Sequence, residues 1–292
     1  MFFKGFLMVS AVLPLSVLHM FARIWGAVLY VFPTRSRTTT LINLNTCFPE
    51  KAKNEIKVLA KQSLKNTACT ALEMGKAWAL PVDKTIALIG SEYSAGLQRF
   101  IAAAKSGQGV ILLAPHLSNW EVLGFYIGEI HPTTYLYQPP KIQALDVLSR
   151  KARSRSGISM VPTDRKGVAQ LLKALQSGEV VAILPDQVPP NESGVYAPFF
   201  GQQAFTMTLV SKLVQRTKAK VFSGFAERLP GGKGFKAVIQ EASPKIYSDN
   251  LEESVAGLNQ SVEECVKLAI SQYQWEYKRF RRQPSGAKFY KH

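Results

Sequence analysis

Two stretches of this chain share one design. "SGQGVILLAPH" (106–116) and "SGEVVAILPDQ" (177–187) each run from a glycine turn through a short, wholly apolar strand into a proline and a polar residue. A strand with no polar alternation is buried on both faces, as a parallel strand under helices is. Further strand patterns are "TTYLY" (133–137), a short piece near Met160, and "KAKVFSGFAER" (218–228). Helical spacing is present over roughly 51–80, where Ile56, Leu59, Ala60, Leu64 and Ala68 share a face and Pro81 ends the pattern. It recurs near 94–105, 120–130, 142–155, 166–177 and 251–275. Apolar strands alternating with amphipathic helices predict an α/β fold, with a mostly parallel sheet flanked by helices and a single domain over 33–292. In such sheets ligands sit beyond the carboxyl ends of the strands. His116, Asp186 and the pair Glu227/Arg228 each follow a strand at that end, so one cleft can collect them.

Ahead of this domain, "GFLMVSAVLPLSVLHMFA" (5–22) carries no Lys, Arg, Asp or Glu. About 18 apolar residues is the lower limit for crossing a bilayer. Residues 1–32 therefore read as a membrane-anchoring helix, spanning or lying in the interface; a buried core helix is the alternative. Arg23, Arg35 and Arg37 beyond the run place the rest of the chain on the cytoplasmic side. Lys plus Arg number 36 against 20 Asp plus Glu, a net charge of +16. That excess attracts an acidic partner, whether nucleic acid, an anionic membrane or an acidic carrier, without choosing among them. Cys47, Cys69 and Cys265 form no C-x-x-C pair and read as reduced, packed thiols.

"APHLSNWEVLG" (114–124) admits two readings. Ser118 and Glu121 have the spacing of a capping box, which would make His116 a mere turn residue. Alternatively His116 is a general base and Glu121 the carboxylate that orients it. No G-x-S-x-G nucleophile exists in the chain, so such a base would act on a substrate hydroxyl. "SRKARSRSG" (149–157) offers Arg150, Lys151, Arg153 and Arg155 to phosphate, or is a solvated helix end. "PDQVPPNESGVYAPFFG" (185–201) is a wall of a site or a plain connector. The tail "WEYKRFRRQPSGAKFYKH" (275–292) suits a membrane interface, single-stranded nucleic acid or solvent. No phosphate loop, H-E-x-x-H or G-x-G-x-x-G is present, so no motif asks for a nucleotide, metal or flavin.

"APHLSNWEVLG", "DQVPPNESGVYAPFFG" and "YKRFRRQPSG" together resemble the lauroyl/myristoyl (late) acyltransferases of lipid A biosynthesis in Gram-negative bacteria. Those belong to the wider glycerolipid acyltransferase group with its His-x4-Asp/Glu motif, and the resemblance runs from the N-terminal anchor to the basic tail. It implies transfer of a fatty acyl group from acyl carrier protein to a hydroxyl of an acyl chain on a lipid A precursor. It implies an inner-membrane enzyme working at the cytoplasmic face against anionic lipid, with no nucleic acid, no metal and no cofactor beyond the thioester donor. By this resemblance His116 is the base and Glu121 its orienting partner. Asn119 and Trp120 shape the motif, Arg153 and Arg155 hold phosphate, and Asp186 and Gln187 line the site. Many relatives carry glycine where Ser118 stands. An acyltransferase of the same superfamily acting on a lysophospholipid, ornithine lipid or polyene is the competing reading, and a basic membrane-associated nucleic-acid binder a more distant one.

Overall fold

The computed structural model describes residues 2–93, 95–139, 143–190 and 193–290. In chain order the elements are α1 (Phe2–Val12), α2 (Leu15–Val31), α3 (Arg35–Cys47), α4 (Lys53–Trp78), α5 (Val82–Ile86), β1 (Ile89–Tyr93), α6 (Ala95–Lys105) and β2 (Val110–Leu113). Then come α7 (Trp120–Ile130), β3 (Thr133–Tyr137), α8 (Gln143–Arg153), β4 (Ile158–Pro162), α9 (Arg165–Gln176) and β5 (Val180–Ile183). The chain continues with β6 (Gly194–Phe199), β7 (Gln202–Met207), α10 (Leu209–Thr217), β8 (Lys220–Arg228), β9 (Phe235–Glu241) and α11 (Leu251–Leu268).

Seven strands form one sheet in the order β1-β9-β8-β2-β5-β3-β4. Five of them, β8, β2, β5, β3 and β4, are mutually parallel; β9 runs antiparallel to β8 and carries β1 alongside it. The apolar strands are buried on both faces, as their composition requires. Ile111, Leu113, Val181 and Ile183 join the core that includes α9, α10 and α11. Val110, Leu112, Val180 and Ala182 join the core on the other side, with residues of α2, α6 and α7. The expectation of a mostly parallel α/β sheet flanked by helices is met.

Three segments differ from the sequence reading. The apolar N-terminal run is two helices, because Pro14 has no amide hydrogen to donate and disfavours helical geometry in the residue before it. Among the described residues no single helix is long and apolar enough to cross a membrane; α2 and α3 qualify only as a pair bent by 81°. Both N-terminal helices lie along α4, burying Leu7, Ala11, Leu15, Leu18 and Ala22. Gly75 and Gly26 set that approach: a Cβ on Gly75 would fall 2.0 Å from Ser10 Oγ, and one on Gly26 2.5 Å from the Lys65 Cα.

The stretch 185–201 ends in a hairpin, not a plain connector. Strands β6 and β7 turn at Phe200 and Gly201, both with positive φ (48° and 73°), as a tight two-residue hairpin loop demands. The basic tail is the largest departure. It packs inside the molecule: Trp275, Arg279 and Phe280 are buried, and the Tyr290 hydroxyl donates to Asn43 Oδ1 at 2.7 Å. Arg279 donates to the Phe205 carbonyl at 2.7 Å and to Thr206 Oγ1 at 2.6 Å, tying the tail to β7. Up to Phe280 the tail is therefore part of the core, while Arg281 and residues 284–288 stay exposed.

Candidate active site

Strands β2 and β5 are parallel neighbours with Leu113 opposite Ile183. His116 lies three residues past Leu113 and Asp186 three past Ile183, so equal steps off one register bring the two together. The Ala114 amide extends the ladder by one bond to the Ile183 carbonyl, 2.9 Å. The Asp186 carboxylate then meets His116 twice. Oδ2 accepts the His116 backbone N–H at 2.8 Å, and Oδ1 lies 2.8 Å from Nδ1. Burial alone would raise the Asp186 carboxyl, but the charge and hydrogen bonds of His116 outweigh it and hold the group below the ordinary carboxylate value. With the imidazole proton on Nδ1 the carboxylate accepts it, and Nε2 then carries a lone pair. Gln187 Nε2 lies 3.2 Å from His116 Nε2, and the Trp120 ring meets the imidazole edge-on with centroids 4.9 Å apart.

Glu121 is elsewhere. The sequence expectation set it on His116; the structure sets it against Arg153, whose Nε donates to Oε2 at 2.9 Å and whose Nη2 donates to Oε1. Trp78 Nε1 donates to Oε2 at 3.0 Å, and the Arg153 guanidinium lies over the Trp78 ring at 5.8 Å. Burial pushes the Glu121 carboxyl up, and the Arg153 charge with hydrogen bonds from Arg153, Trp78 and Trp120 pulls it below its ordinary value. The physical reason is direction. Glu121 lies in the first turn of α7 and faces α4 and α8, whereas the Nδ1 side of His116 faces β5.

The capping box is likewise replaced. Asn119, not Ser118, caps α7: its Oδ1 accepts the Val122 amide at 3.1 Å, while its Nδ2 donates to Glu73 Oε2 at 3.1 Å. Asn119 is buried and spent on these contacts, so it supports the turn and does not line the cleft. Ser118 adopts φ 55°, and its Oγ is buried without a hydrogen-bond partner. The left-handed backbone is the conformation glycine adopts freely.

His116, Trp120, Glu121, Arg153 and Gln187 open on one cleft of about 640 Å³. Its walls are mainly apolar, with Gly124, Phe125, Ile158, Met160, Leu184 and Met207 among them. Trp78, Tyr135 and Lys212 also line it and have no sequence signal of their own. The Tyr135 hydroxyl is buried there without a hydrogen-bond partner. Arg155 does not join the cleft. It closes the end of α4 by donating to the carbonyls of Trp78 and Leu80, each at 2.9 Å. Arg228 also leaves the strand-end group. It is buried in a bidentate pair with Glu73, Nε to Oε1 at 2.6 Å and Nη2 to Oε2 at 2.7 Å.

Among the described residues one set of donor atoms, on His19, Cys69 and Glu73, is close enough for a metal ion. Both Glu73 oxygens are engaged by Arg228, and burial pushes the Cys69 thiol up to about 11, so that donor set fits a metal poorly. All three cysteines are free and buried.

What the cleft can do follows from its parts: an oriented imidazole with a free nitrogen, a guanidinium fixed by a carboxylate, and an apolar volume for chains. Comparison with known proteins shows the family. The profile of the bacterial lipid A biosynthesis acyltransferase family matches residues 1–282. A lipid A biosynthesis lauroyltransferase of Escherichia coli (strain K12) is 31% identical over 289 residues, 97% of this chain and 91% of that protein. A palmitoleoyltransferase and a myristoyltransferase of lipid A biosynthesis from the same organism are 25% and 24% identical, covering 97% and 86% of this chain and 90% and 77% of their own. Matched along nearly its whole length, the chain belongs to the bacterial lipid A biosynthesis acyltransferase family.

Proposed function

We propose that this acyltransferase moves a fatty acyl group from an acyl carrier protein thioester to a hydroxyl of an acyl chain on a lipid A precursor. One observation carries the reading: His116 is held through Nδ1 by buried Asp186 and turns Nε2 into a mainly apolar cleft. Nε2 takes the proton of the acceptor hydroxyl as its oxygen attacks the thioester carbonyl. The new C–O bond forms, the C–S bond breaks, and the proton passes from the imidazolium to the leaving thiolate. Asp186 stabilises the imidazolium in between. The Gln187 amide donates to Nε2 at rest, so the acceptor hydroxyl displaces it on binding.

Arg153 spends two of its five N–H groups on Glu121. The others are the donors for a substrate oxygen, either the thioester oxygen as it gains charge or a phosphate. Glu121 acts by fixing that guanidinium. No redox or nucleotide chemistry enters, because the thioester is already activated.

The enzyme works at the cytoplasmic face of the inner membrane, seated by α1 and α2. Phe3, Phe6, Val9, Val12, Phe21 and Ile24 are exposed on these helices. Helix α2 has 17 residues, about 26 Å at 1.5 Å per residue, less than the ~30 Å hydrocarbon core. One of its faces is already covered by α4. An in-plane seat satisfies both facts, and the +16 charge favours anionic lipid and an acidic carrier.

Mass spectrometry of lipid A from cells with the gene deleted, then restored, tests the acceptor. One secondary acyl chain should vanish and return with wild type but not with His116→Ala. Unchanged lipid A beside an altered phospholipid or pigment profile would move the acceptor to another lipid. Purified enzyme given acyl carrier protein or coenzyme A thioesters tests the donor.

A further inference from the structure

A second cavity, of about 320 Å³, lies apart from the acyl cleft. Three elements build it. Helix α2 contributes Ser16, His19 and Arg23, spaced along one face; α4 contributes Lys65, Asn66 and Cys69; the turn leaving β8 contributes Arg228 to Gly231. The turn is pressed onto the start of α2: a Cβ on Gly232 would fall 2.4 Å from the Ser16 nitrogen. We propose that this cavity binds the phosphate of a membrane phospholipid headgroup.

Charge is the first argument. The carboxylate nearest the cavity, Glu73, is saturated by Arg228, by His19 Nε2 at 2.6 Å and by Asn119. Its single negative charge is answered by Arg228 and His19. Arg23 and Lys65 remain in excess, and among the described residues neither has a hydrogen-bond or ion-pair acceptor. Ser16 lies in the first turn of α2, where the helix dipole adds to the positive field. A concave site with two unanswered cations and a helix start fits a phosphate.

The second argument selects a lipid over free phosphate. The helix that carries Ser16, His19 and Arg23 exposes Met20, Phe21, Ile24 and Trp25 beside them. A headgroup seated on Arg23 and Lys65 would place its acyl chains along that apolar surface. An aromatic–cation border of this kind suits the headgroup level of a bilayer. The inference rests on the membrane seating proposed above and adds a specific headgroup site to it.

Flotation of the full-length protein with vesicles tests it. The vesicles are phosphatidylcholine alone, phosphatidylcholine with phosphatidylglycerol, and phosphatidylcholine with oleate at matched surface charge. Both substituted side chains reach the surface of the cavity, so Arg23→Ala/Lys65→Ala should fold normally. The double variant should lose about 30-fold in affinity for phosphatidylglycerol vesicles, several-fold more than it loses on oleate vesicles, where only the diffuse attraction of the two cations is removed. Binding to neutral vesicles reads the apolar face alone, so Phe21→Glu/Ile24→Glu separates a failure of seating from a failure of the phosphate site. Equal losses on phosphatidylglycerol and oleate would mean only a diffuse positive field and would overturn the site. Stabilisation by inorganic phosphate, without lipid and to the same extent as by phosphatidylglycerol, would overturn the lipid assignment.

Discussion

At the scale of the residue, the division of labour between two carboxylates decides the chemistry. Asp186 touches His116, the proposed base, and Glu121 touches the Arg153 guanidinium. Asp186→Asn keeps the shape and loses the charge that stabilises the imidazolium. A fall in kcat of about 10²- to 10⁴-fold with little change in KM is expected, read from steady-state acyl transfer. Glu121→Gln frees Arg153 without disturbing His116, so its effect should fall on substrate affinity as well as on rate. A kcat loss in Glu121→Gln that exceeds the loss in Asp186→Asn would reverse the two roles. Ser118 supplies a cleaner stability test. Its φ of 55° and its unpartnered buried Oγ both disfavour serine, while its backbone bonds to Gln272 and Thr70 need no side chain. Ser118→Gly should gain about 1 kcal/mol in denaturant unfolding, the relief of a left-handed L-residue less the added freedom of the unfolded glycine. A loss of stability would show that the hydroxyl has a partner role.

At the scale of the element, legibility followed burial. Strands β2 and β5 are readable because nothing polar interrupts them, and their matching Pro-His and Pro-Asp exits already carry the His116–Asp186 pair. What the sequence could not supply was which carboxylate His116 meets. Glu121 is near in sequence, whereas Asp186 is near only once β2 and β5 pair in register. Strands β1, β9 and the β6–β7 hairpin went unread for the opposite reason: charged, glycine and proline residues interrupt them, and their burial comes from partners far along the chain. The tail misled because aromatic and basic residues look alike in a solvated ribbon and in a packed one; Arg279 is buried by acceptors on β7 and α11. The N-terminal helices show the same dependence on context. Their apolar run reads as an anchor, but Gly75 lets α1 close onto α4. Gly75→Val should force α1 away from α4, costing about 1–3 kcal/mol by overpacking and exposing residues 2–13 to limited proteolysis. Unchanged cleavage and stability would mean that α1 is not seated there.

At the scale of the whole molecule, one buried network joins the N-terminal helices to the turn after His116. Glu73 on α4 receives His19 from α2, Arg228 from the end of β8, and Asn119 from the turn that follows His116. Gln272 closes the circuit, accepting the Arg228 amide and, through its carbonyl, the Ser118 amide. Burial alone would raise the Glu73 carboxyl, yet Arg228 and His19 hold it at about 2 against an ordinary 4.5. A carboxyl whose pKa is depressed by folding contributes stability that is complete above its unfolded value and is lost as pH falls through the folded one. The window is therefore pH 4.5 down to about 2, and a shift of that size corresponds to about 3 kcal/mol at neutral pH. Asp186 and Glu121 are depressed in the same direction and steepen the same acid limb. The thermal midpoint should hold from neutral pH to about 5 and then fall continuously. In Glu73→Gln the Arg228 charge is left buried and unanswered, so the midpoint should start lower at neutral pH and fall less on acidification. A variant that tracks wild type in parallel across that range would show that Glu73 is not the group that titrates, and would remove the electrostatic link between α2 and the turn after His116.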